Sequence, residues 1–342
     1  MNNKSVNYEK FRRNLIIYFC LTLILGITIG YTLRFLTTIS HKAPAATQIS
    51  QDFSESRAGG YQFTNPLLDC DNFRPSILNE HVSLYNDLNN YVNNAINIGV
   101  ASHISIYFRS LNNGPWIGIN EDHSYSPASL LKVPILIAVL KKAETDSSLL
   151  RKKIRYSKPL ETRVNPNIVE GDTIKIGNTY TVDELLEYMI IKSDNNAKEM
   201  LINLIGNDYL TNVMIDLGVN LREKDLSKDF LSVKEYSSFY RIMYNASYLN
   251  RDFSEKALKM LSRTDFIKGI PEKLPKNIKI SHKFGERGFE DSNLKQLHDC
   301  GIVYVPDKPY LLCVMTLGYD FDNLNKIISE ISEIVYNNVI EK

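Results

Sequence analysis

The sequence offers few side chains for a metal or redox centre. Its 342 residues include only four cysteines and six histidines. No two cysteines stand in Cys-x-x-Cys spacing and no His-Glu-x-x-His motif occurs, so zinc and dithiol chemistry have no support. We therefore predict that the protein binds no metal and no cofactor. Three histidines lie near the motifs discussed below, and we interpret them as surface or hydrogen-bonded side chains: His123, His282 and His298.

The chain also lacks an excess of charge of either sign. Lysine and arginine together number 40, aspartate and glutamate 39, so the formal net charge is +1. Without a strongly basic domain, the sequence argues against nucleic acid as a partner. Hydrophobic residues make up 44% of the chain and charged residues 23%, which are proportions typical of a globular core.

Charge is missing altogether from one long apolar run, NLIIYFCLTLILGITIGYTL, at residues 14–33. This run is long enough to cross a bilayer as a helix. Basic residues are more numerous before it than after it, which predicts a cytoplasmic amino terminus and an extracytoplasmic remainder. We predict an uncleaved anchor, and the alternative is a signal peptide cleaved near APAA (43–46). The basic residues are Lys4, Lys10, Arg12 and Arg13 before the run and Arg34 and Lys42 after it.

These features divide the chain into four parts. Residues 1–13 form a cytoplasmic terminus, 14–36 the transmembrane anchor, 37–62 a polar extracytoplasmic linker and 63–342 the globular domain. Within the domain, hydrophobic periodicity predicts a helix, two strands, a series of helices, three strands and a final helix.

The simplest packing of these elements is an α+β fold. Both ends of the domain contribute to one five-stranded antiparallel sheet, which terminal helices flank, and an all-helical lobe is inserted between its strands. Such a fold leaves a cleft where the sheet edge meets the lobe, and we expect a site there.

A short motif begins one of the predicted helices, namely Ser129-Leu-Leu-Lys132 followed by VPILIAVL. The simplest interpretation is a serine that caps the helix. However, residues three apart on a helix share a face, so Ser129 and Lys132 can touch. Apolar neighbours and the helix amino terminus lower the pKa of a lysine, which would let Lys132 act as a base. The N–H of Ser129 would lie where an oxyanion is stabilised.

Two more motifs follow along the chain. Ser193-Asp194-Asn195 lies between two predicted helices and could be a capping cluster. Lys283-Phe284-Gly285 lies on a predicted strand and could be an edge lysine beside a bulge. Each motif is weak alone, but the three in this order and on these element types point to one site.

With these motifs the sequence resembles the class A β-lactamase and penicillin-binding-protein superfamily of active-site serine enzymes, whose marks are Ser-x-x-Lys, Ser-Asp-Asn and Lys-Thr-Gly. The resemblance covers about residues 77–339 and includes GINEDHSYSPASLLKVPI, TVDELLEYMIIKSDNNAKEMLI and HDCGIVYVPDKPYLLCVMTLG. It implies a serine hydrolase that works through an acyl-enzyme.

The resemblance also implies catalytic roles. Ser129 matches the nucleophile, Lys132 the lysine that helps remove its proton, and Ser193 the serine that relays a proton to the leaving nitrogen. Asn195 matches the amide that contacts substrate and lysine.

The third motif implies substrate binding. Lys283 and Gly285 match the strand that binds the substrate carboxylate, and the backbone N–H of Glu286 would complete the oxyanion hole beside that of Ser129. Phe284 departs from the family, because a ring replaces a hydroxyl that would bind the carboxylate. Arg287 could compensate for the lost hydroxyl.

A second departure concerns deacylation. Class A β-lactamases carry an omega loop with a glutamate that activates water, whereas here the segment MIDLGVNLREKDLSKDFLSVKEYSSFY is short. Its acids Glu223, Asp225 and Asp229 do not follow the family pattern, and we interpret them as solvated charges. Slow hydrolysis of the acyl-enzyme is expected.

The cysteines outside the apolar run could form a disulfide. We predict a Cys70–Cys300 bond. A tight turn at Asp307-Lys308 would pair Ile302 with Cys313, and this register argues against a bond between Cys300 and Cys313.

Three functions remain open. The first is a β-lactamase-like serine hydrolase acting on a β-lactam or related amide, the second a D,D-peptidase acting on peptidoglycan stem peptides, and the third a wall-binding domain without catalysis. We expect a monomer that contacts the membrane through its amino-terminal helix.

Overall fold

The computed structural model describes residues 55–57, 59–70, 81–112, 114–159, 173–219, 221, 229–289 and 292–341, and three earlier residues, Thr22, Gly26 and Thr28. The chain divides into two compact units, Met1–Asp52 and Phe53–Lys342. No helix among these described residues is both long and apolar enough to span a bilayer. Apart from the three early residues, the predicted anchor lies outside the described part.

The second unit contains eleven strands and eight α-helices among its described residues. In chain order they are β1 (Glu55–Arg57), β2 (Leu67–Cys70), α1 (Val82–Asn97), β3 (Ala101–Ser110), β4 (Trp116–Ile119), β5 (Ser124–Tyr125), α2 (Lys132–Thr145), β6 (Lys153–Arg155), β7 (Thr179–Thr181), α3 (Val182–Ile191), α4 (Asn195–Ile205), α5 (Asn207–Asp216), β8 (Leu231–Ser232), α6 (Val233–Tyr244), α7 (Arg251–Leu261), β9 (Lys279–Gly288), β10 (Lys295–Tyr304), β11 (Tyr310–Gly318) and α8 (Phe321–Glu341).

The main sheet confirms the predicted fold. Its five strands are antiparallel in the order β4-β3-β11-β10-β9. Helices α1 and α8 pack against each other and against one face, while α6 and α7 of the helical lobe contact the other face. Because side chains alternate along a strand, β3, β10 and β11 contribute to two hydrophobic cores, one on each face of the sheet. Strand β9 lies at the edge beside the lobe, where the sequence predicted a cleft.

Local capping explains where several helices begin. The Thr-x-x-Glu spacing of Thr181 and Glu184 forms a capping box at α3, and Ser232 and Glu235 form another at α6. The helix predicted from Ser129 begins instead at Lys132. A 3-10 helix, Ala128–Leu131, precedes it, and neither helix has a side-chain cap. The serine hydroxyl of this segment is therefore available for another role.

The predicted disulfide between Cys70 and Cys300 is wrong, because Cys300 is bonded to Cys313. The two lie directly opposite each other on β10 and β11, where Ile302 pairs with Leu311 and not with Cys313.

The error came from the position of the turn. Lys308 N–H bonds Val305 O, and Asp307 has φ 60°, so Pro306 and Asp307 occupy the centre of the turn. This is a type II arrangement with proline first. The turn lies one residue earlier than predicted. Each residue of β10 therefore pairs with a β11 residue two positions away from its predicted partner.

The segment before α1 is attached to the domain. The Glu255 carboxylate on α7 accepts hydrogen bonds from the backbone N–H groups of Gln62, Phe63 and Thr64. Arg57 donates to the side chain of Asn245, the residue that follows α6. Thus Arg57 and Gln62, which belong to the stretch predicted as a linker, contact the domain.

Candidate active site

The 3-10 helix places Ser129 at the start of the buried helix α2. Leu130 N–H bonds Pro127 O at 2.8 Å, which closes the turn. Ala128, just before the serine, has φ 46°. A left-handed backbone is strained for a residue with a side chain and persists where the surroundings impose it, as at many functional sites.

Lys132 lies at the centre of the site. Its Nζ is 2.9 Å from Ser129 Oγ, 2.9 Å from Ser193 Oγ and 2.9 Å from Asn195 Oδ1. It also donates to the Ser193 carbonyl at 2.5 Å. The residue is 1% exposed. The first two predicted motifs therefore meet at one amine.

The Ser-Asp-Asn motif combines a structural and a chemical part. Asp194 caps α4 by accepting from Ala197 N–H, and its other oxygen accepts from Ile174 N–H. The capping interpretation is thus correct for this aspartate. Ser193 has φ 56° and directs its hydroxyl to Lys132 and, at 3.3 Å, to Ser129.

The third motif reaches the same point from the sheet. Lys283 Nζ on β9 donates to Ser193 Oγ at 3.1 Å and lies 4.2 Å from the Phe284 ring centroid. Lys283 is fully buried. The interpretation as an edge-strand lysine is right about the strand and wrong about exposure, because the helical lobe covers this face of the edge.

Burial lowers the pKa of both lysines. Desolvation, followed by the charge of Lys283, holds the pKa of Lys132 well below its ordinary value. Desolvation also lowers the pKa of Lys283 to about 7, with Asp299 and Glu286 opposing that shift. The described hydrogen bonds of both amines go to hydroxyl, amide and carbonyl oxygens. A neutral Lys132 can accept a proton, and a charged Lys283 can hold an anion.

Strand β9 packs directly on the 3-10 helix at Gly285. A Cβ added there would lie 2.9 Å from Pro127 O and 3.1 Å from Leu130 N. This close approach brings the backbone that follows Gly285 beside the segment carrying Ser129. The two predicted oxyanion donors, the N–H groups of Ser129 and Glu286, therefore belong to elements in contact.

Replacing Gly285 by valine should displace the 3-10 helix from β9. We expect the acylation rate to fall about 100-fold, because a displacement near 1 Å at a reacting atom has an effect of that order. Stopped-flow acylation by a fluorescent penicillin measures this rate. Gly288→Ala is the matched control on the same strand, since a Cβ there meets nothing within 4 Å. Equal rates for both variants would contradict the contact.

Phe284 and Arg287 differ from what the sequence alone indicated. The Phe284 ring is 3% exposed and stacks on Phe266, with centroids 4.0 Å apart. Arg287 donates to Ser126 Oγ at 2.7 Å. Its guanidinium is therefore engaged with the protein.

Asp229 is the described acid of the short segment after α5, and its described hydrogen bond goes to neither the serine nor the lysine. Asp229 is exposed and accepts from Gln296 Nε2 at 2.9 Å. Glu223 and Asp225 lie outside the described residues. The described partners of Lys132 are hydroxyl, amide and carbonyl oxygens.

The three histidines have ordinary partners. His282 bonds Asp299 at 2.9 Å, His298 bonds Ser126 O at 3.1 Å, and His123 stacks on His103. Among the residues with described coordinates, no group of three or more histidine, cysteine, aspartate or glutamate side chains is arranged to hold a metal.

Comparison with known proteins agrees with this geometry. The sequence profile of the Beta-lactamase enzyme family matches residues 84–339. The chain belongs to this family. It is therefore a class A β-lactamase-like serine hydrolase by descent, within the superfamily that includes penicillin-binding proteins.

Similar proteins and structures are distant in sequence. Beta-lactamase VEB-1 of Pseudomonas aeruginosa is 23% identical over 266 residues, 70% of this chain and 87% of that protein. A beta-lactamase of Bacteroides uniformis is 29% identical over 241 residues, with 63% and 80% covered.

Two solved structures illustrate the shared fold. The TLA-1 extended-spectrum beta-lactamase matches with a TM-score of 0.64 at 20% identity. The match covers 75% of this chain and 99% of the TLA-1 chain. A mutant of PBP-A, solved as an acyl-enzyme complex with penicillin G, matches with a TM-score of 0.62 at 22% identity. The match covers 76% of this chain and 97% of the PBP-A chain.

Sequence reasoning missed several residues that shape this β-lactamase-family site. Tyr236 is buried and donates to Leu130 O at 3.1 Å, and Gln296 accepts from Ser126 N–H. Neither residue belongs to a motif, and each is distant from Ser129 in the chain. Only the packing of the lobe on the sheet brings them together.

Proposed function

We propose that this protein is a membrane-anchored extracytoplasmic serine hydrolase that forms an acyl-enzyme on Ser129 with a β-lactam or a related amide. The observation that carries the proposal is the Lys132 amine. It is buried, has a lowered pKa and lies 2.9 Å from the Ser129 hydroxyl. A lysine kept neutral beside a serine is an activated nucleophile pair.

The proposed reaction begins with proton transfer from Ser129 Oγ to Lys132 Nζ. The serine oxygen attacks the amide carbonyl, and the N–H groups of Ser129 and Glu286 stabilise the oxyanion. Ser193 Oγ lies between both lysines, so it passes its proton to the leaving nitrogen as the C–N bond breaks and takes up the proton that Lys132 received from Ser129. Lys283, when charged, holds an anionic group of the substrate.

The second step, hydrolysis of the ester, lacks comparable support. It needs a base that orients water at the acyl carbon. The described acid of the short segment, Asp229, is bonded to Gln296 and exposed. We therefore propose that deacylation is slow and that the acyl-enzyme accumulates.

A chromogenic cephalosporin tests this proposal in stopped flow with the full-length protein. We expect a burst equal to one product per active site, followed by slow turnover. General-base assistance contributes about 10²–10⁴-fold, so its loss raises the second barrier by roughly 3–5 kcal/mol. Steady hydrolysis without a burst would contradict slow deacylation, and Glu223 and Asp225 would then be replaced first.

A D,D-peptidase is the second candidate. The observation that favours it is the set of oxygens around Lys132, which supports acylation but shows no described water-activating carboxylate. A peptide substrate with a terminal D-alanine would be cleaved at the same serine. Release of D-alanine from a stem-peptide analogue, together with a long-lived penicillin label, supports this candidate over a β-lactamase.

A wall-binding domain without catalysis is the third possibility. It requires no buried amine beside a serine hydroxyl, and keeping two buried lysines close together is costly for a protein that only binds. Absence of any covalent label after prolonged exposure to a fluorescent penicillin and a stem-peptide analogue would favour this function.

The membrane anchor is proposed from residues 14–36. The run 14–33 carries no charge and is flanked by more basic residues on its amino-terminal side. The anchored protein should remain in the membrane pellet after alkaline carbonate extraction, and its release by that treatment would contradict anchoring.

A further inference from the structure

Ser126, three residues before the nucleophile, is bonded through every polar group it has. Its N–H donates to Gln296 Oε1 at 3.1 Å, and its carbonyl lies 3.1 Å from His298 Nε2. Its hydroxyl accepts from Arg287 Nη1 at 2.7 Å. The residue is 6% exposed. The bonds come from two adjacent strands, β9 and β10, so Ser126 joins this short segment to the sheet by hydrogen bonds.

The hydrogen bond from His298 has a defined direction. Thr316 N–H, which can only donate, lies 3.3 Å from His298 Nδ1. The hydrogen of the neutral ring therefore sits on Nε2 and is donated to Ser126 O. Burial lowers the pKa of His298 to about 4, so the ring is neutral at physiological pH. The hydrogen bond from His298 to Ser126 is therefore not lost or gained through protonation of the ring near neutral pH.

The attachment continues to the nucleophile through a short rigid path. Pro127 follows Ser126 and restricts the backbone, and its carbonyl accepts from Leu130 N–H. Ala128 is in the left-handed region. With the backbone on both sides constrained, the position of Ser126 determines where Ser129 lies relative to β9.

The same strand that attaches Ser126 also carries the groups that meet the substrate. Arg287 is the next residue after Glu286, whose N–H is the proposed oxyanion donor, and Lys283 is four residues before Arg287. A bond from Arg287 to Ser126 therefore sets the distance between the nucleophile and these groups. Arginine suits this role because its guanidinium stays charged and its planar donors are preorganised.

We propose that Arg287 and Gln296 are positioning residues that hold Ser129 in register with β9 by bonding Ser126, and that Arg287 does not bind the substrate carboxylate. This inference rests on the proposed acylation of Ser129. It assigns the cationic side of the substrate site to Lys283, whose described hydrogen bonds go to the Ser193 hydroxyl and the Phe284 carbonyl.

Gln296 extends this attachment to the segment after α5. Its Oε1 accepts from Ser126 N–H while its Nε2 donates to Asp229. The side-chain amide of Gln296 thus joins Asp229, at the end of that segment, to the backbone of Ser126. An amide is required, because a carboxylate at this position could accept from Ser126 but could not donate to Asp229.

The test separates positioning from substrate binding by the charge of the substrate. Acylation rate constants and noncovalent binding constants are measured for a penicillin and for its methyl ester, with the full-length protein. For Arg287→Met we expect the acylation rate constant to fall about 10- to 100-fold by the same factor for both compounds, with noncovalent binding unchanged. A loss confined to the acid, or appearing in binding alone, would overturn the proposal.

A double-mutant cycle with Ser126→Ala gives a second readout. Both changes remove the same hydrogen bond, so the double variant should acylate no more slowly than either single variant. Arg287→Lys should recover part of the rate, since an ammonium can still donate to Ser126 Oγ. Additive losses in the cycle would contradict the inference, and this readout remains if Arg287→Met folds poorly.

The controls distinguish this inference from the proposed function. Arg263→Met removes an exposed arginine paired with Glu187 on the helical lobe and should leave acylation unchanged. If the wild-type protein is not acylated at all, the proposed function fails. If the wild-type protein is acylated and the Arg287→Met variant has the same acylation rate constant, only the positioning role fails.

Discussion

Replacing Ser129 by alanine is expected to abolish covalent labelling by a fluorescent penicillin. The acyl group has no other oxygen to join, because alanine has only a methyl group in place of the hydroxyl. The fold should remain intact, since Ser129 caps neither adjoining helix. In-gel fluorescence and mass spectrometry of the labelled peptide measure this outcome, with circular dichroism to confirm folding.

Ser148→Ala is the matched control for this substitution. Ser148 is exposed and its hydroxyl bonds Asp146, away from the lysines of the site. It should label like the wild type. A Ser129→Ala protein that still carries one label per chain would show that another residue is the nucleophile, and the labelled peptide would identify it.

Lys132→Arg is expected to reduce acylation about 10²–10⁴-fold, the range that general-base assistance contributes. Arginine keeps the positive charge but does not give up its proton at working pH, so it cannot accept one from Ser129. The rate of fluorescent penicillin labelling measures the loss. Lys141→Arg is the control on the same helix, where the amine pairs with Glu144. Wild-type acylation by Lys132→Arg would make this lysine structural.

The same pair of lysines predicts the pH dependence. Acylation should increase as pH rises through the lowered pKa of Lys132, because only the neutral amine accepts a proton. Binding of an anionic substrate should decline as pH rises through the pKa of Lys283, about 7 in the free protein. The profile belongs to the coupled pair. In Lys283→Arg the alkaline decline should move to higher pH, since guanidinium stays charged.

Much of the fold was predictable because its determinants are local. The apolar run of β11 and the helical spacing of hydrophobic residues in α3 are patterns of neighbouring residues along the chain. The capping box of Thr181 and Glu184 needs only four consecutive residues. The failures were positional. The turn at Pro306-Asp307 lies one residue earlier than predicted, which was enough to exchange the partner of Cys300.

The catalytic site was predictable to a comparable extent. Ser129 and Lys132 are one helical turn apart, so their contact follows from local geometry. Ser193 and Lys283 were recognised from short motifs, and the structure brings both to within hydrogen-bonding distance of one another. The extent to which burial lowers the lysine pKa values could not be read from the motifs, since it depends on how completely the lobe covers β9.

The sequence alone determined the sheet-and-lobe fold, the family and five side chains that meet in one hydrogen-bond network, namely Ser129, Lys132, Ser193, Asn195 and Lys283. Only the tertiary structure decided the use of the residues around them. Arg287 bonds Ser126, and Phe284 packs on Phe266. The physical reason is that hydrogen bonds between distant strands and turns depend on register and side-chain direction, which short sequence patterns do not contain.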